Sequence, residues 1–243
     1  MLRQMALALG LMTPLVLSAL SLPAPDKIPA TGGEITIAPV NHASLQLTYA
    51  GHVIDVDPVA QANFGGLAAP DIVLVTDIHS DHLDPATIAK LRKATTKIVA
   101  PAAAAAQLPA PIVMANGETK TIDGLSIEAV PMYNLTRGPS AGQLFHDKGR
   151  GNGYILTLGG KRIYIAGDTE GTPEMKALKN IDVAFIPMNL PYTMPPDEAA
   201  AAVKAFNPKI VYPYHYRGSD VNVFATALKG TGIDVRLRDW YSN

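Results

Sequence analysis

The sequence predicts an α/β (α+β) protein built as a four-layer αββα sandwich. Short segments rich in β-branched residues alternate along the chain with segments of helical spacing. They fall into two halves of similar content, each with its strands first and its helices after. Because a sheet that is apolar on one face must bury that face against another layer, the two halves predict two sheets packed face to face with helices outside.

The first half is predicted to contain five strands and two helices. Alternation of apolar and polar residues indicates the strands, and Ala50-Gly51 indicates a hairpin turn. A run of alanines predicts an ordinary helix, since alanine has the highest helix propensity. The predicted strands are 35–40, 44–49, 53–56, 71–76 and 97–100, and the predicted helices are 85–93 and 102–108.

The second half repeats this order of elements. Asp123-Gly124 and Gly159-Gly160 indicate two further hairpins, because both dipeptides suit tight turns. The predicted strands are 112–114, 119–122, 126–131, 153–158, 161–166, 183–187, 210–213 and 234–237, and the predicted helices are 196–206 and 221–228.

The N-terminal segment has the pattern of a secretory signal peptide. Arg3 precedes the apolar stretch 5–17, and small residues at Ala19 and Ser21 stand where a signal peptidase reads. We therefore expect a signal peptide over 1–21 with cleavage near 21–24, a linker over 22–33, and one folded domain over 34–243, located in the periplasm or secreted. The alternative is a membrane anchor, against which the shortness of the apolar stretch argues.

Composition and charge exclude several classes of function. A chain of 243 residues with 48% hydrophobic residues is long enough for one domain with a packed core. The net charge of −1 and the lack of any Lys or Arg run argue against nucleic-acid binding, which depends on neutralised phosphates. Without cysteine there are no disulfides. We expect a small-molecule substrate and no stable membrane contact after signal cleavage; the oligomeric state stays open.

Possible metal ligands cluster directly after a predicted buried strand. The segment 76–84 carries two histidines and two aspartates within six residues, and two later strands end in Asp168 and His215. Neutral imidazole and carboxylate are the ligands that zinc and similar ions prefer, and a loop after a strand is a common place for functional side chains. The candidate metal ligands are Asp77, His79, Asp81, His82, Asp168 and His215.

The order Asp-x-His-x-Asp-His, then Gly-Asp-Thr, then a late histidine resembles the metallo-β-lactamase superfamily, and most closely its ascorbate-phosphate-lactonase-like branch. The resemblance covers about 35–215 and includes an opening hairpin with Asn41-His42-Ala43-Ser44 and Asp57-Pro58. It implies the αββα sandwich of that superfamily and a metal-dependent hydrolase. It also implies that His79 serves a first metal site, that Asp81, His82 and His215 serve a second, and that Asp168 bridges them.

The chain departs from that pattern at the first metal site. The superfamily usually has histidine where this chain has Asp77, and another histidine where the strand ending near Tyr133 is followed by Asn134. His146, in a glycine-rich loop, could replace the missing ligand, or it could be a loop residue that bonds locally or touches substrate. The expected cofactor is one or two zinc ions, with manganese or iron at the altered first site, because carboxylate and amide oxygens are harder donors than imidazole.

The expected reaction is hydrolysis of a small-molecule ester, lactone, amide or phosphodiester by a metal-bound water. Asp81 and Asp168 are the candidate catalytic residues, since a carboxylate at the metal can handle the proton of the leaving group. Tyr192, Arg217 and Arg137 are the candidate substrate contacts, with surface packing as the alternative for the arginines. His42 could lie at the pocket rim or orient a ligand.

A different class of function stays possible on the sequence alone. The replacements at Asp77 and Asn134 would also suit a catalytically inactive periplasmic binding or scaffolding protein of the same fold. Against it, the remaining ligands would have little reason to coexist in a domain whose core needs no metal for stability. An RNA-processing nuclease of this fold would need a basic surface that the composition does not provide.

Overall fold

A computed structural model describes residues 24–241, and their strands form two mixed sheets of seven. In the first sheet the strands follow chain order, with β1 to β4 antiparallel and β4 to β7 parallel. These strands are β1 (Asp26–Ala30), β2 (Gly33–Asn41), β3 (Ser44–Tyr49), β4 (His52–Val56), β5 (Ile72–Leu74), β6 (Lys97–Ala100) and β7 (Ile112–Val113).

The second sheet repeats this plan. Its strands β8 to β11 are antiparallel and β11 to β14 are parallel. They are β8 (Thr119–Ile122), β9 (Leu125–Met132), β10 (Gly151–Leu158), β11 (Lys161–Ile165), β12 (Val183–Pro187), β13 (Ile210–Tyr214) and β14 (Asp234–Val235). Each sheet therefore has parallel strands whose carboxyl ends can present side chains at one edge.

Helices cover the outer face of each sheet. The first sheet carries α1 (Pro85–Leu91) and a 3₁₀ helix (Ala102–Gln107), and the second carries α2 (Pro173–Ala177), α3 (Pro196–Phe206) and α4 (Val221–Ala227). One core cluster joins residues of both sheets, and two further clusters join each sheet to its own helices. The four-layer αββα sandwich expected from the sequence is confirmed.

Three predicted hairpins are present, and the local reason is clear at two of them. Both Ala50-Gly51 and Asp123-Gly124 have positive φ at each residue, as the two-residue turn that matches strand twist requires. The Gly159-Gly160 turn joins β10 to β11 in the same way.

The structure corrects the sequence expectations at four places. The strand at 112–113, expected to open the second half, pairs with β6 and ends the first sheet. Residues 26–30 form a paired strand rather than part of the linker. Pro29 argued against a strand here, although proline is tolerated in an edge strand. The alanine run forms a 3₁₀ helix, so propensity alone did not decide its type. The short helix α2, capped by the Thr172 side chain, was not predicted.

The expected signal peptide over 1–21 lies outside the described residues. Within 24–241, the structure contains no helix with the length and apolar character needed to cross a bilayer.

Candidate metal centre

The loops that follow parallel strands bring the predicted ligands together at one edge of the sandwich. The loop after β5 carries Asp77, His79 and His82, while Asp168 follows β11 and His215 follows β13. A turn holds the β5 loop, in which the His79 carbonyl accepts the backbone N–H of His82 at 2.9 Å. Strands distant in sequence thus place imidazoles and carboxylates within reach of one another.

The possible ligands form two groups, which we call the first group and the second group after the predicted metal site that each would form. The second group is His82, Asp168 and His215, all buried. The His82 Nε2 atom lies 3.3 Å from Asp168 Oδ2, and His215 Nε2 lies 3.2 Å from Asp168 Oδ1. Asp81 Oδ2 lies 3.4 Å from His215 Nε2, so Asp81 borders this group.

The first group is Asp77, His79 and His146. The Asp77 Oδ2 atom lies 2.9 Å from His79 Nδ1 and 3.7 Å from His146 Nε2. His146 Nε2 is also 3.3 Å from Asp168 Oδ2. Asp168 therefore lies between the two groups, in the position that a bridging carboxylate would need.

The converging atoms lack the hydrogen bonds that buried polar atoms normally have. Four such atoms have no partner with acceptable geometry: His82 Nε2, His146 Nε2, His215 Nε2 and Asp168 Oδ1. Leaving a buried donor or acceptor unsatisfied costs about 1–3 kcal/mol each, so four of them at one point indicate a missing ligand. Imidazole nitrogen and carboxylate oxygen are the donors that zinc and similar ions take. The residues present therefore fit a metal ion.

Asp57 fixes the orientation of His82. Its buried carboxylate accepts hydrogen bonds from the Thr76 backbone N–H at 2.8 Å, the Thr76 hydroxyl at 2.6 Å and His82 Nδ1 at 2.8 Å. With the proton on Nδ1, the Nε2 lone pair faces the second group, as a metal ligand requires. Asp57 was not a predicted site residue, although it follows β4 as the ligands follow their strands.

Asn134 plays the same part for His146. Its Oδ1 accepts from the backbone N–H of His146 at 2.9 Å and from Nδ1 at 2.6 Å, which leaves His146 Nε2 facing the first group. Its Nδ2 donates to Glu170 and to the Tyr192 carbonyl. Because all polar atoms of Asn134 are engaged by protein groups, the structure favours His146, of the two alternatives, as the side chain that faces the first group.

Arg150 pairs with Asp77, which the sequence did not reveal. The guanidinium donates from Nε to Oδ1 at 3.1 Å and from Nη2 to Oδ2 at 2.9 Å. Burial alone would raise the pKa of Asp77, but the hydrogen bond with His79 and the charges of His82, His146 and Arg150 hold it well below its usual value. Asp77 is therefore a carboxylate whose charge Arg150 balances.

The same balance operates at Asp81 and Asp168. Burial would raise the pKa of each carboxyl, but His215 lowers both pKa values. His42 also lowers the pKa of Asp81, and His82 also lowers that of Asp168. Both groups are therefore carboxylates near neutral pH.

His42 supports Asp81 from the turn between β2 and β3. Its Nε2 atom lies 3.2 Å from Asp81 Oδ2 and its Nδ1 atom lies 2.7 Å from the Tyr241 hydroxyl. The centroid of its ring lies 3.7 Å from that of the His215 ring, with the two planes tilted by 31°. The Tyr241 oxygen also accepts the Tyr216 backbone N–H at 3.0 Å. Of the two roles open for His42, the structure favours orienting a ligand.

Three non-glycine residues at the centre have left-handed backbone. The φ angles are 51° at His42, 45° at Asp57 and 47° at His215. Such conformations are costly outside glycine and tend to cluster at functional sites, where surrounding contacts hold them. One such contact joins two of them, since the His42 carbonyl accepts the His215 N–H at 3.0 Å.

A cleft of about 710 Å³ opens over the two groups. Its lining includes Asp81 and Asp168 and the predicted substrate contacts Tyr192 and Arg217. Arg137, the third predicted contact, lies outside this lining: it pairs with Glu198 at 2.8 and 2.7 Å and with Glu170. The structure therefore does not bring Arg137 to the cleft with the other two predicted contacts, and protein carboxylates occupy its guanidinium.

Comparison with known proteins agrees with this fold and centre. A model described as the beta-lactamase superfamily domain matches residues 36–215. The chain is 36% identical over 178 residues to a UPF0173 metal-dependent hydrolase of Symbiobacterium thermophilum, covering 67% of this chain and 75% of that protein. It is 33% identical over 193 residues to one of Thermococcus onnurineus, covering 73% and 82%.

Solved structures give the same result. A crystal structure of a Parabacteroides distasonis protein, described as a metal-dependent hydrolase, has a TM-score of 0.85 at 46% identity, covering 90% of this chain and 99% of that one. Igni18, a metallo hydrolase of Ignicoccus hospitalis, shares the fold with a TM-score of 0.71 at 24% identity, covering 84% and 95%. The chain belongs to the metallo-β-lactamase superfamily. Within it, the proteins matched over most of their length are named UPF0173 metal-dependent hydrolases; the branch named from sequence stays a prediction.

Proposed function

We propose that this protein is a metal-dependent hydrolase of small molecules that carry an ester, lactone, amide or phosphodiester bond. One observation carries the proposal. Four buried atoms that could bind a metal ion, the Nε2 atoms of His82, His146 and His215 and the Oδ1 atom of Asp168, converge beneath a cleft without hydrogen-bond partners. Relatives named metal-dependent hydrolases support a hydrolytic role in general.

The proposed ligands are the two groups together with Asp81. Bound there, an ion would polarise a carbonyl or phosphoryl oxygen and lower the pKa of a water molecule so that it attacks at neutral pH. We propose one or two zinc ions, because imidazole nitrogens dominate the second group. Manganese or iron is the alternative at the first group, where the Asp77 carboxylate is a harder donor.

The residues of the chain then have separate tasks. The Asp81 side chain is 43% exposed and faces the cleft, with His42 orienting one of its oxygens. In the proposed reaction Asp81 takes the proton released by the attacking water and donates it to the leaving group. Asp168 holds the two groups at a fixed separation, and Tyr192 and Arg217 contact the substrate from the cleft walls.

The test is hydrolysis by metal-loaded protein. Purified protein is analysed for bound metal, loaded with zinc, manganese or iron, and assayed on chromogenic esters, lactones, amides and phosphodiesters. We expect activity with at least one class, and its loss in His82→Ala but not in His52→Ala, a histidine at the start of β4 outside both groups. Fully loaded protein that hydrolyses no class would contradict the proposal.

The same preparation tests the binding or scaffolding alternative. That alternative expects no bound metal and a melting temperature that a chelator leaves unchanged. If the protein is a metal-dependent hydrolase, it should contain metal and a chelator should lower its melting temperature, because an ion that binds only the folded chain stabilises it by mass action.

We also propose that the protein is exported, on the pattern of residues 1–21. Cell fractionation with mass spectrometry of the N-terminus checks this. We expect a mature chain beginning near residues 22–25 in the periplasm or medium; a cytoplasmic chain with its first 21 residues intact would contradict it.

A further inference from the structure

The lining of the cleft contains two kinds of surface, which we call its two walls. One is apolar and consists of Phe145, Leu190, Pro191 and Tyr192, and the other is Arg217 with small polar groups. Leu190 is 49% exposed and Tyr192 is 44% exposed, and exposed apolar side chains grouped in a cleft are typical of ligand-binding grooves. The same cleft is lined by His79 of the first group and Asp168 of the second.

The apolar wall is held in place by backbone hydrogen bonds. The Asn189 carbonyl accepts the N–H groups of Tyr192 and Thr193, each at 2.9 Å, and the Tyr192 carbonyl accepts from Asn134 Nδ2 at 2.8 Å. The Phe145 ring meets the Tyr192 ring edge-on, with centroids 5.0 Å apart. The backbone is fixed by these hydrogen bonds and keeps the side chains exposed. An apolar ligand group that covers them is therefore removed from water without the entropy cost of ordering a loop.

Arg217 differs from the other arginines near the centre. Arg137 and Arg150 each pair with protein carboxylates. Within residues 24–241, Arg217 forms no salt bridge; its guanidinium lies over the Tyr241 ring, 5.6 Å from the centroid. It also lines a smaller pocket of about 130 Å³ behind Asp81, with Asn41 and Gln61. An arginine without a carboxylate partner at a cleft is suited to bind an anionic oxygen group of a ligand.

We infer that the substrate is an amphipathic anion: an acylated amino acid or hydroxy acid whose carboxylate binds Arg217 and whose apolar acyl group lies against Leu190, Tyr192 and Phe145. The inference rests on the proposed function and names its substrate class. We place the amide or ester bond, which lies between the two ends, against His79 and Asp168, which line the same cleft. Water oxygen bonds to the acyl carbon, the bond to nitrogen or oxygen breaks, and a proton passes to the leaving amine or alcohol.

The first experiment measures binding without hydrolysis. (Octyloxy)acetate has the chain and the carboxylate but no hydrolysable bond, and 2-(octyloxy)ethanol lacks only the charge. Titration calorimetry on metal-loaded protein is expected to show the acid binding at least about tenfold more tightly than the alcohol, as a charge-assisted hydrogen bond provides. Each methylene removed from the chain should weaken binding by up to about fourfold.

Two variants separate the walls. Arg217→Gln should abolish the preference for the acid and keep the dependence on chain length, whereas Leu190→Ser should reduce the chain-length dependence and keep the preference. The matched controls are Arg92→Gln, at the end of α1, and Val223→Ser, an exposed apolar residue of α4. Both should bind as the wild type does. An unchanged preference in Arg217→Gln would place the carboxylate on the metal ion and overturn the inference.

Hydrolysis of N-octanoylglycine, compared with N-acetylglycine and with the methylamide of N-octanoylglycine, completes the test. Faster turnover of N-octanoylglycine than of both others supports the inference. Equal turnover of all three would overturn it while the hydrolase proposal stands. Binding with the expected preferences, but no hydrolysis of these three compounds or of any class of chromogenic substrate, would overturn the hydrolase proposal and keep the binding assignment.

Discussion

The two groups of possible ligands are built in different ways. In the second group, Asp168 and His215 follow parallel strands directly, and all three side chains are buried. In the first group, His146 comes from the long connection between β9 and β10, and the His79 side chain is 42% exposed. The second group is thus fixed by the sheet, whereas the first depends on loop positions.

The supporting contacts differ in the same sense. Around the second group, Asp57 and His42 hydrogen-bond His82 and Asp81 from buried positions. Around the first group, Asn134 orients His146, and Arg150 compensates the charge of Asp77. Because a cation beside a ligand opposes a second cation, we expect the second group to bind its ion more tightly than the first.

The largest effect is expected from removing the residue that both groups share. Asp168 lies within 3.3 Å of His82 Nε2 and His146 Nε2, so Asp168→Asn keeps the shape and removes the charge from both. We expect loss of all bound metal, a larger change than the roughly 10- to 100-fold loss from an outer partner. Metal analysis after dialysis measures it. A variant that retains the wild-type metal content would show that Asp168 is not a ligand.

A pair of histidine variants separates the groups. His215→Ala should release the ion of the second group and abolish hydrolysis, while His146→Ala should release only the ion of the first group and retain about one equivalent. The physical reason is the difference in burial and supporting contacts. Titration with a metal-sensitive dye measures the number and affinity of the ions. Equal losses in the two variants would remove the distinction between the groups.

Local sequence patterns predicted much of this molecule. Turn dipeptides such as Ala50-Gly51 predicted the hairpins, and runs of alternating residues predicted most strands of both sheets. The ligands that follow strands were found for the same reason, because the carboxyl ends of parallel strands meet at one edge. Asp57 obeys that rule as well and could have been found by it.

Contacts made by long loops could not be read in this way. Whether Asn134 or His146 faces the first group depends on the path of the connection between β9 and β10, which no periodic pattern describes. His42 and Tyr241 are 199 residues apart in sequence, and only the folded chain joins them. The partners of Arg137 and Arg217 likewise depend on distant elements, so composition gave both the same expected role.

An intermediate effect is expected at the outer partners of the ligands. Asp57→Asn replaces one accepting oxygen by an NH₂ group, which cannot accept, so Thr76 and His82 Nδ1 compete for the single oxygen that is left and the imidazole is held less firmly. We expect metal affinity at the second group to fall about 10- to 100-fold while the number of sites is kept. Asn134→Ala should do the same at the first group. The assignment would be contradicted if Asp57→Asn weakened metal binding only at the first group, or if Asn134→Ala weakened it only at the second.

A smaller effect is expected from the tyrosine that supports His42. Tyr241→Phe removes the hydroxyl 2.7 Å from His42 Nδ1, and one hydrogen bond of this kind corresponds to about a two- to tenfold change in activity. Nitrogen NMR of His42 should show a changed tautomer mixture. If Tyr241 acts through His42, the double variant with His42→Ala should lose no more than His42→Ala alone. Additive losses would give Tyr241 an independent role.

The smallest effect on the metal centre is expected at Asp55, a buried carboxyl outside both groups. Here no cation offsets burial, which raises the pKa to about 7 although Gln46 donates a hydrogen bond at 2.7 Å. The unfolded chain gives up this proton near pH 3.8, so the free energy of unfolding should fall as pH rises from about 4 to about 7.

The variant Asp55→Asn isolates that dependence. At about 1.36 kcal/mol per pKa unit, the rise from 3.8 to about 7 corresponds to a loss on the order of 4 kcal/mol above pH 7 in the wild type. Asp55→Asn cannot ionise, so urea unfolding from pH 4 to pH 8 should show the wild type losing stability relative to the variant across this window, with metal content equal in both. A constant difference between the two proteins over the whole range would mean that Asp55 keeps an ordinary pKa. Asp55 would then be ionised at neutral pH despite its burial, like the carboxyls at the metal centre that the histidines and Arg150 keep ionised.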